Sequence, residues 1–118
     1  NEIKLSNLLP GPFTILLKEK NNNLSPLVNL NNGILGFRVP NNQFILNLVK
    51  YINKPIITTS INKHGEKSLN HPNDIKNTFP KIHSFLDSYQ INSKGSTILN
   101  LSKTPFEVLR EGDGKINL

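Results

Sequence analysis

Short apolar runs, separated at close intervals by proline, glycine and asparagine, restrict this chain to a fold made of short elements. Strands are predicted at Phe13–Leu17, Ile34–Val39, Pro55–Thr59, Ile82–Leu86, Gly95–Leu101 and Thr104–Leu109. Helical spacing of apolar residues predicts a helix over 42–52 with Asn41 or Asn42 as its N-cap, and Pro72 begins a second, short helix. Because these elements alternate irregularly, we expect an α/β fold of mixed α+β type, a twisted open mixed sheet with flanking helices, rather than a regular βαβ array.

The length of 118 residues predicts a single domain, 1–118, with one modest core. Short helical turns are expected within 3–9 and 25–28, and Gly112–Gly114 is expected to end the folded part. The absence of cysteine excludes disulfides, thiolate metal sites and cysteine nucleophiles. No apolar run of membrane-spanning length and no signal peptide is visible, so a cytoplasmic protein is predicted.

The formal net charge of +6 suits an anionic partner such as a nucleotide or RNA. The lysines are scattered without any long basic block, which makes an extended nucleic-acid surface a weak interpretation. The three histidines, His64, His71 and His83, have no metal-ligand spacing, so no metal site is predicted, and His71 before Pro72 is interpreted as a turn residue.

Arginine is used twice among 14 basic residues, at Arg38 and Arg110. A guanidinium is a planar fork of donors that can bind carboxylate or phosphate through two parallel hydrogen bonds, whereas lysine is a point charge. Each arginine follows a short run of strand character, Ile34–Phe37 or Phe106–Leu109, and precedes a chain-breaking residue, Pro40 or Gly112. That is a position at which α/β sheets present ligand-binding groups. The alternative is a pair of ordinary surface ion pairs. Glu107 and Glu111 flank Arg110 and could either orient it or lie on an exposed strand face.

Hydroxyl and amide side chains gather in three segments, Thr58–Asn62, Ser68 and Gly95–Thr97. If 55–59 is a strand, alternation places Thr58 and Ser60 on one face. These groups together with the arginines predict a polar pocket for a phosphate-bearing ligand. The alternative is that serine and threonine simply favour strands and turns.

Five segments in order resemble motifs of the YrdC-like threonylcarbamoyl-AMP synthases, and the set extends over nearly the whole chain. They are Leu9–Lys18 (similar to WPGPLTLILK), Gly36–Pro40 (VGVRVP), Pro55–Gly65 (PLASTSANLSG), Gly95–Leu101 (PSTVVDL) and Val108–Gly112 (ILREG).

The resemblance implies a YrdC-like sheet around a concave basic cavity, and an enzyme that joins L-threonine, bicarbonate and ATP into threonylcarbamoyl-AMP with release of pyrophosphate. That nucleotidyltransferase-type reaction serves the t6A modification of tRNA, so tRNA or RNA and the proteins of that pathway are implied partners. Mg²⁺ is expected with the ATP substrate. No catalytic nucleophile is assigned. By match to the motifs, Arg38, Thr58 and Ser96 are expected to contact L-threonine, and Ser60, Asn62, Ser68 and Arg110 to contact the nucleotide.

Departures from the family pattern leave other functions open. The family's N-terminal third, which holds further threonine- and ATP-binding residues, has no counterpart here, so little synthase activity is expected from this chain alone. Ile34 stands in place of a nucleotide-contacting threonine, and Ile61 in place of a small residue. The alternative from another functional class is a binding module, a non-catalytic or degenerate homologue that binds nucleotide or RNA. A carbamoyl-transferring maturation enzyme is a third alternative, disfavoured by the length and the lack of zinc-finger cysteines.

Overall fold

The computed structural model describes residues 3–20, 24–28, 33–86 and 92–116. Its elements are a 3₁₀ turn at Leu5–Asn7, β1 (Phe13–Lys18), a 3₁₀ turn at Pro26–Val28, β2 (Ile34–Phe37), α1 (Gln43–Ile52), α2 (Pro72–Thr78), β3 (Thr97–Asn100) and β4 (Glu107–Arg110). The chain divides into two compact units, Asn1–Leu46 with Lys94–Leu118, and Asn47–Ser93. The single domain over 1–118 stays a prediction. No helix among these residues is long and apolar enough to cross a membrane.

All four strands form one open sheet in the order β2-β1-β3-β4. The central strands β1 and β3 run parallel, while β2 is antiparallel to β1 and β4 is antiparallel to β3. This arrangement confirms the predicted mixed open sheet with helices; the concave basic cavity stays a prediction. Since β2 and β4 run opposite to the central pair, their last residues lie at the end of the sheet where β1 and β3 begin.

The core lies on one face of this sheet. Ile15 on β1 and Leu99 on β3 are register partners with no exposed surface, and Phe13 and Leu8 complete the buried cluster. Partly buried apolar residues pack around that cluster, namely Ile3, Leu9, Leu17, Phe37, Leu101 and Ile116. Alternation along β1 and β3 sends the intervening side chains to the other face. The core thus occupies one face of the sheet, and the partly buried side chains of Thr14, Leu16, Ile98 and Asn100 lie on the other.

A buried hydroxyl joins β3 to the chain that follows β4. Thr97, 1% exposed, accepts a hydrogen bond from Gly112 N (2.9 Å) and donates one to Gly114 O (2.8 Å) through its Oγ1. Both glycines are buried, and a Cβ on Gly112 would overlap the carbonyl oxygen of Gly95. The prediction that Gly112–Gly114 ends the folded part was wrong, because this segment packs against β3 and Ile116 reaches the core.

Two predicted strands are absent from the described residues. The segment 55–59 is irregular and exposed, and 82–86 is also exposed and forms no strand. Both predictions were wrong because β-branched and aromatic residues favour strands only where a neighbouring strand and a packing surface receive them. Ile57, at 84% exposure, and Phe85, at 78%, have no such burial. The other strand predictions are confirmed, with bounds shifted by a few residues.

The helices begin and end as their sequences indicate. Asn42 Oδ1 accepts a hydrogen bond from Ile45 N at 2.9 Å, which confirms the predicted N-cap of α1. Asn53 follows the last turn in a left-handed conformation with φ 54°. His71, predicted as a turn residue, is the N-cap of α2: it accepts a hydrogen bond from Asn73 N (3.2 Å), and Pro72 lies in the first turn.

Replacing Thr97 by valine is expected to lower the free energy of unfolding by about 2–3 kcal/mol, since the buried Gly112 N–H and Gly114 carbonyl would each lose a partner. Valine has nearly the same shape as threonine, so the loss of unfolding free energy measures the contribution of the hydroxyl group. Thr97→Ser, which keeps the hydroxyl, should lose only about 1 kcal/mol for its missing methyl group. Urea unfolding of both variants measures the difference. Equal losses would mean that packing rather than hydrogen bonding explains this position.

Candidate functional site

Four polar side chains lie at the end of the sheet where β1 and β3 begin, one on or beside each strand. Alternation places Thr14 of β1 on the face opposite the core, its hydroxyl contacts that of Ser96 just before β3, Arg110 of β4 reaches Ser96, and Arg38 directly follows β2. We call these four residues the polar sheet end. Neighbouring strands are about 4.8 Å apart, so the set extends over roughly 14 Å from β2 to β4. The two arginines are thus at one end of one sheet.

Arg110 is held by Ser96, the residue that directly precedes β3. Its Nε and Nη2 donate to Ser96 O at 3.0 and 2.7 Å, and Nη2 also donates to Ser96 Oγ at 3.1 Å. The edge of the guanidinium that makes parallel two-point contacts is therefore occupied within the protein. Nη1 remains available to a ligand, so Arg110 can offer a fixed positive charge and one nitrogen rather than a fork.

Arg38 differs from Arg110 in its side-chain contacts. Its side chain is exposed, and no hydrogen bond or ion pair joins it to another residue in the parts of the chain that the structure describes. All five N–H donors are accordingly available for a planar anion such as a carboxylate. The strand-end position predicted for it is confirmed, because it directly follows β2.

Thr14 and Ser96 connect the two central strands on this face. Their hydroxyl oxygens are 2.6 Å apart, although the residues are separated by 82 positions in the sequence. Ser96 is 6% exposed and Thr14 is partly exposed. Sequence reasoning missed Thr14. The available signal was a threonine between the core residues Phe13 and Ile15, where alternation places it on the other face.

Neither acid near Arg110 orients it. Glu107 instead forms an ion pair with Lys103, at 2.5 Å between Nζ and Oε2, and both side chains are about half exposed. The hypothesis that Glu107 orients Arg110 was wrong, since Ser96 O performs that role. The loop before β3 is also fixed by Asp113, whose N donates to Gly95 O (2.8 Å) and whose Oδ1 accepts from Lys94 N (2.9 Å).

The remaining predicted site residues belong to the second unit. Ser60 Oγ donates to Asn62 Oδ1 at 2.5 Å, and Asn62 Nδ2 donates to Lys63 O at 2.9 Å. A backbone bond from Leu69 N to Ile61 O (2.7 Å) closes the loop between them, so Ser60 and Ser68 flank its base. Thr58 and Ser68 are exposed. Because no strand forms at 55–59, the argument that Thr58 and Ser60 share a strand face was wrong.

Two isoleucines differ from the expected pattern of small or polar residues. Ile34 pairs with Lys18, at the other end of β2 from Arg38. Ile61 is 43% exposed at the base of the 61–69 loop. The proposed ligand roles of all seven predicted site residues, and one pocket shared by the two units' groups, stay predictions.

Comparisons with known proteins identify relatives over almost the entire chain. A sequence model named Sua5/YciO/YrdC, described as "Telomere recombination", matches residues 2–112. The human protein "Threonylcarbamoyl-AMP synthase" is 29% identical over 119 residues, covering 92% of this chain and 41% of that protein. The Escherichia coli protein "Uncharacterized protein YciO" is 26% identical over 114 residues, covering 95% of this chain and 55% of that protein.

Solved structures share the fold. The crystal structure of E. coli YciO superposes with a TM-score of 0.75 at 26% identity, over 94% of this chain and 55% of that one. The structure of P. abyssi Sua5 complexed with L-threonine gives a TM-score of 0.77 at 24% identity, over 95% of this chain and 35% of that one. The chain thus spans about two fifths of the human protein and about half of YciO.

The two arginines are expected to differ in solvent exchange in the ligand-free protein. Arg110 Nε–H is bonded to Ser96 O, while no partner of Arg38 exists among the residues described. In ¹⁵N NMR spectra near neutral pH, the Arg110 Nε–H signal should exchange with water at least about tenfold more slowly than that of Arg38, a protection that corresponds to one hydrogen bond. Lysine substitution of each arginine in turn assigns the signals. Equally fast exchange of both would contradict the described geometry.

Proposed function

We propose that this chain, which belongs to the Sua5/YciO/YrdC family, carries L-threonine- and nucleotide-binding residues of a threonylcarbamoyl-AMP synthase. The reaction joins L-threonine, bicarbonate and ATP and releases pyrophosphate. Two findings support this function: relatives that bear the synthase name at 28–29% identity, and a sheet end that carries two hydroxyls, a fixed guanidinium and Arg38, which has no partner among the described residues. The second finding carries the proposal, because it matches the chemistry of an amino acid joined to a phosphate.

Arg38 and Arg110 suit different parts of the substrates. The available fork of Arg38 fits the planar carboxylate of L-threonine through two charge-assisted hydrogen bonds. The restrained Arg110 offers a positive charge that costs no reorganisation when charge develops on a phosphoryl group. In the second unit, the exposed hydroxyls of Ser60 and Ser68 and the partly exposed amide of Asn62 lie around one loop and can bond phosphate and ribose oxygens.

The chemical steps need little covalent participation by the protein. The amine of L-threonine combines with bicarbonate to give a carbamate and water, and a carbamate oxygen then attacks the α-phosphorus of ATP as the bond to the β-phosphate oxygen breaks. Positioning and electrostatic stabilisation of the phosphoryl oxygens are the protein's contributions. Mg²⁺ is expected on the triphosphate because the proposed substrate is ATP. Within the described residues no group of three histidine, cysteine, aspartate or glutamate side chains could hold a metal ion.

L-Threonine and ATP are expected to bind with positive coupling, each raising the affinity of the other, since both occupy one reacting complex. Calorimetry with L-threonine, with ATP and Mg²⁺, and with both measures the coupling. Arg38→Lys should weaken L-threonine binding by about tenfold, because lysine keeps the charge but loses the second parallel bond. Lys18→Gln, which removes a charge at the other end of the same sheet, is the matched control and should leave the affinity unchanged.

Independent binding of the two ligands would contradict the synthase proposal and favour the alternative, a homologue that binds nucleotide or RNA without catalysis. In that case RNA binding should weaken steeply with added salt, because it depends on phosphate contacts by a chain of net charge +6. Binding of tRNA and association with other proteins of t6A synthesis are further proposals that pull-down with the labelled chain tests directly.

A further inference from the structure

Asp113 is bonded to the backbone on both sides of Gly95, the residue before Ser96. Its N–H donates to Gly95 O at 2.8 Å, and its Oδ1 accepts from Lys94 N at 2.9 Å. Lys94 and Gly95 are exposed, whereas Ser96 is 6% exposed. Asp113 therefore connects an exposed loop to the chain that follows β4. The segments that resemble the family end one residue before Asp113, so the resemblance assigns it no role.

Gly95 has a backbone conformation that needs support from its neighbours. Its φ is 79°, in the left-handed region, and a Cβ at this position would lie 3.2 Å from Arg110 Nη2. Glycine reaches this region without steric cost, but it reaches many other conformations as readily. Glycine alone therefore does not fix the loop. The two hydrogen bonds of Asp113, one on each side of Gly95, favour the observed conformation over the others.

The conformation of Gly95 determines where the carbonyl group of Ser96 lies. Arg110 Nε and Nη2 both donate to that carbonyl oxygen, at 3.0 and 2.7 Å. The chain after β4 also passes close to this peptide group, since a Cβ on Gly112 would lie 2.6 Å from the carbonyl carbon of Ser96. Because Ser96 lies between Gly95 and the first residue of β3, a change in the dihedral angles of Gly95 would displace the acceptor that restrains Arg110.

We propose that Asp113 is a positioning residue for nucleotide binding: its carboxylate holds the loop at Gly95 in the conformation that keeps Ser96 O against Arg110. This inference rests on the proposed function, in which Arg110 offers a fixed positive charge to a phosphoryl group. A guanidinium that is already restrained loses little conformational freedom when a ligand binds, whereas a mobile one must first be ordered. Asp113 acts through Ser96 and Arg110 and does not itself contact the ligand.

The first measurement is the exchange of Arg110 Nε–H with water in the ligand-free full chain, by ¹⁵N NMR. Asp113→Ala removes the acceptor of Lys94 N and should speed this exchange about tenfold, the factor by which one lost hydrogen bond favours opening of the loop. Asp113→Asn keeps an acceptor oxygen and should stay within about twofold of the unmodified chain. Glu111→Ala is the control, since it removes an exposed carboxylate that has no hydrogen bond to this loop among the described residues.

The second measurement is the affinity for ATP with Mg²⁺, by calorimetry on the same variants. Asp113→Ala should weaken binding about threefold to tenfold, because Arg110 must then be ordered when the ligand binds. Asp113→Asn should bind as the unmodified chain does. Glu111→Ala shows the effect of losing one negative charge and should not weaken binding. A role of Asp113 in stability alone would lower the urea midpoint and leave the affinity of the folded chain unchanged.

The outcomes separate this inference from the function on which it rests. No ATP binding by the unmodified chain removes both. Normal ATP binding, with Arg110 Nε–H exchange or ATP affinity unchanged in Asp113→Ala, overturns the inference alone. Exchange in Asp113→Asn as fast as in Asp113→Ala would also overturn it, since charge rather than the bond to Lys94 N would then hold the loop. If Asp113→Ala does not fold, as circular dichroism would show, the unmodified chain at low urea decides. Lys94 N–H and Arg110 Nε–H should lose protection together, as one opening unit, and separate opening contradicts the inference.

Discussion

The parallel pairing of β1 with β3 is the constraint on which the rest of the first unit depends. Ile15 and Leu99 are register partners without exposed surface, so a slip of one residue would turn a buried side chain to the opposite face. The same register that buries these two residues sets Thr14 and Ser96 side by side on the other face. Core packing and the geometry of the polar sheet end are therefore two results of one pairing.

That pairing also gives two arginines in similar sequence contexts different chemistry. Each ends or follows an edge strand that runs antiparallel to a central strand. Arg110 reaches the backbone of Ser96 and is used partly as a structural group, while Arg38 meets no such acceptor in the described parts of the chain. A restrained charge suits stabilisation of a reacting phosphoryl group, and an available fork suits recognition of a carboxylate.

In the second unit, hydrogen bonds between residues close in sequence position the polar groups. Ser60 and Asn62 are bonded across two residues, and one backbone bond between Leu69 and Ile61 closes their loop. In the first unit the decisive contacts join residues that are 14 and 82 positions apart. The loop of the second unit can therefore be interpreted from its own sequence, whereas the polar sheet end exists only when the strands are paired.

Local patterns determined much of this protein: the N-cap of α1, the start of α2 at Pro72, the apolar runs that form β1 and β3, and the ordered motifs that indicate the family, because caps and apolar runs depend on near neighbours. The strands predicted at 55–59 and 82–86 do not form, because residues that favour strands adopt them only beside a neighbouring strand. Tertiary structure alone decided that Thr97 bonds the glycines after β4, that Ser96 rather than Glu107 holds Arg110, and that Thr14 lies beside Ser96. Each of these contacts joins segments distant in sequence, and only the register of the sheet sets which atoms meet.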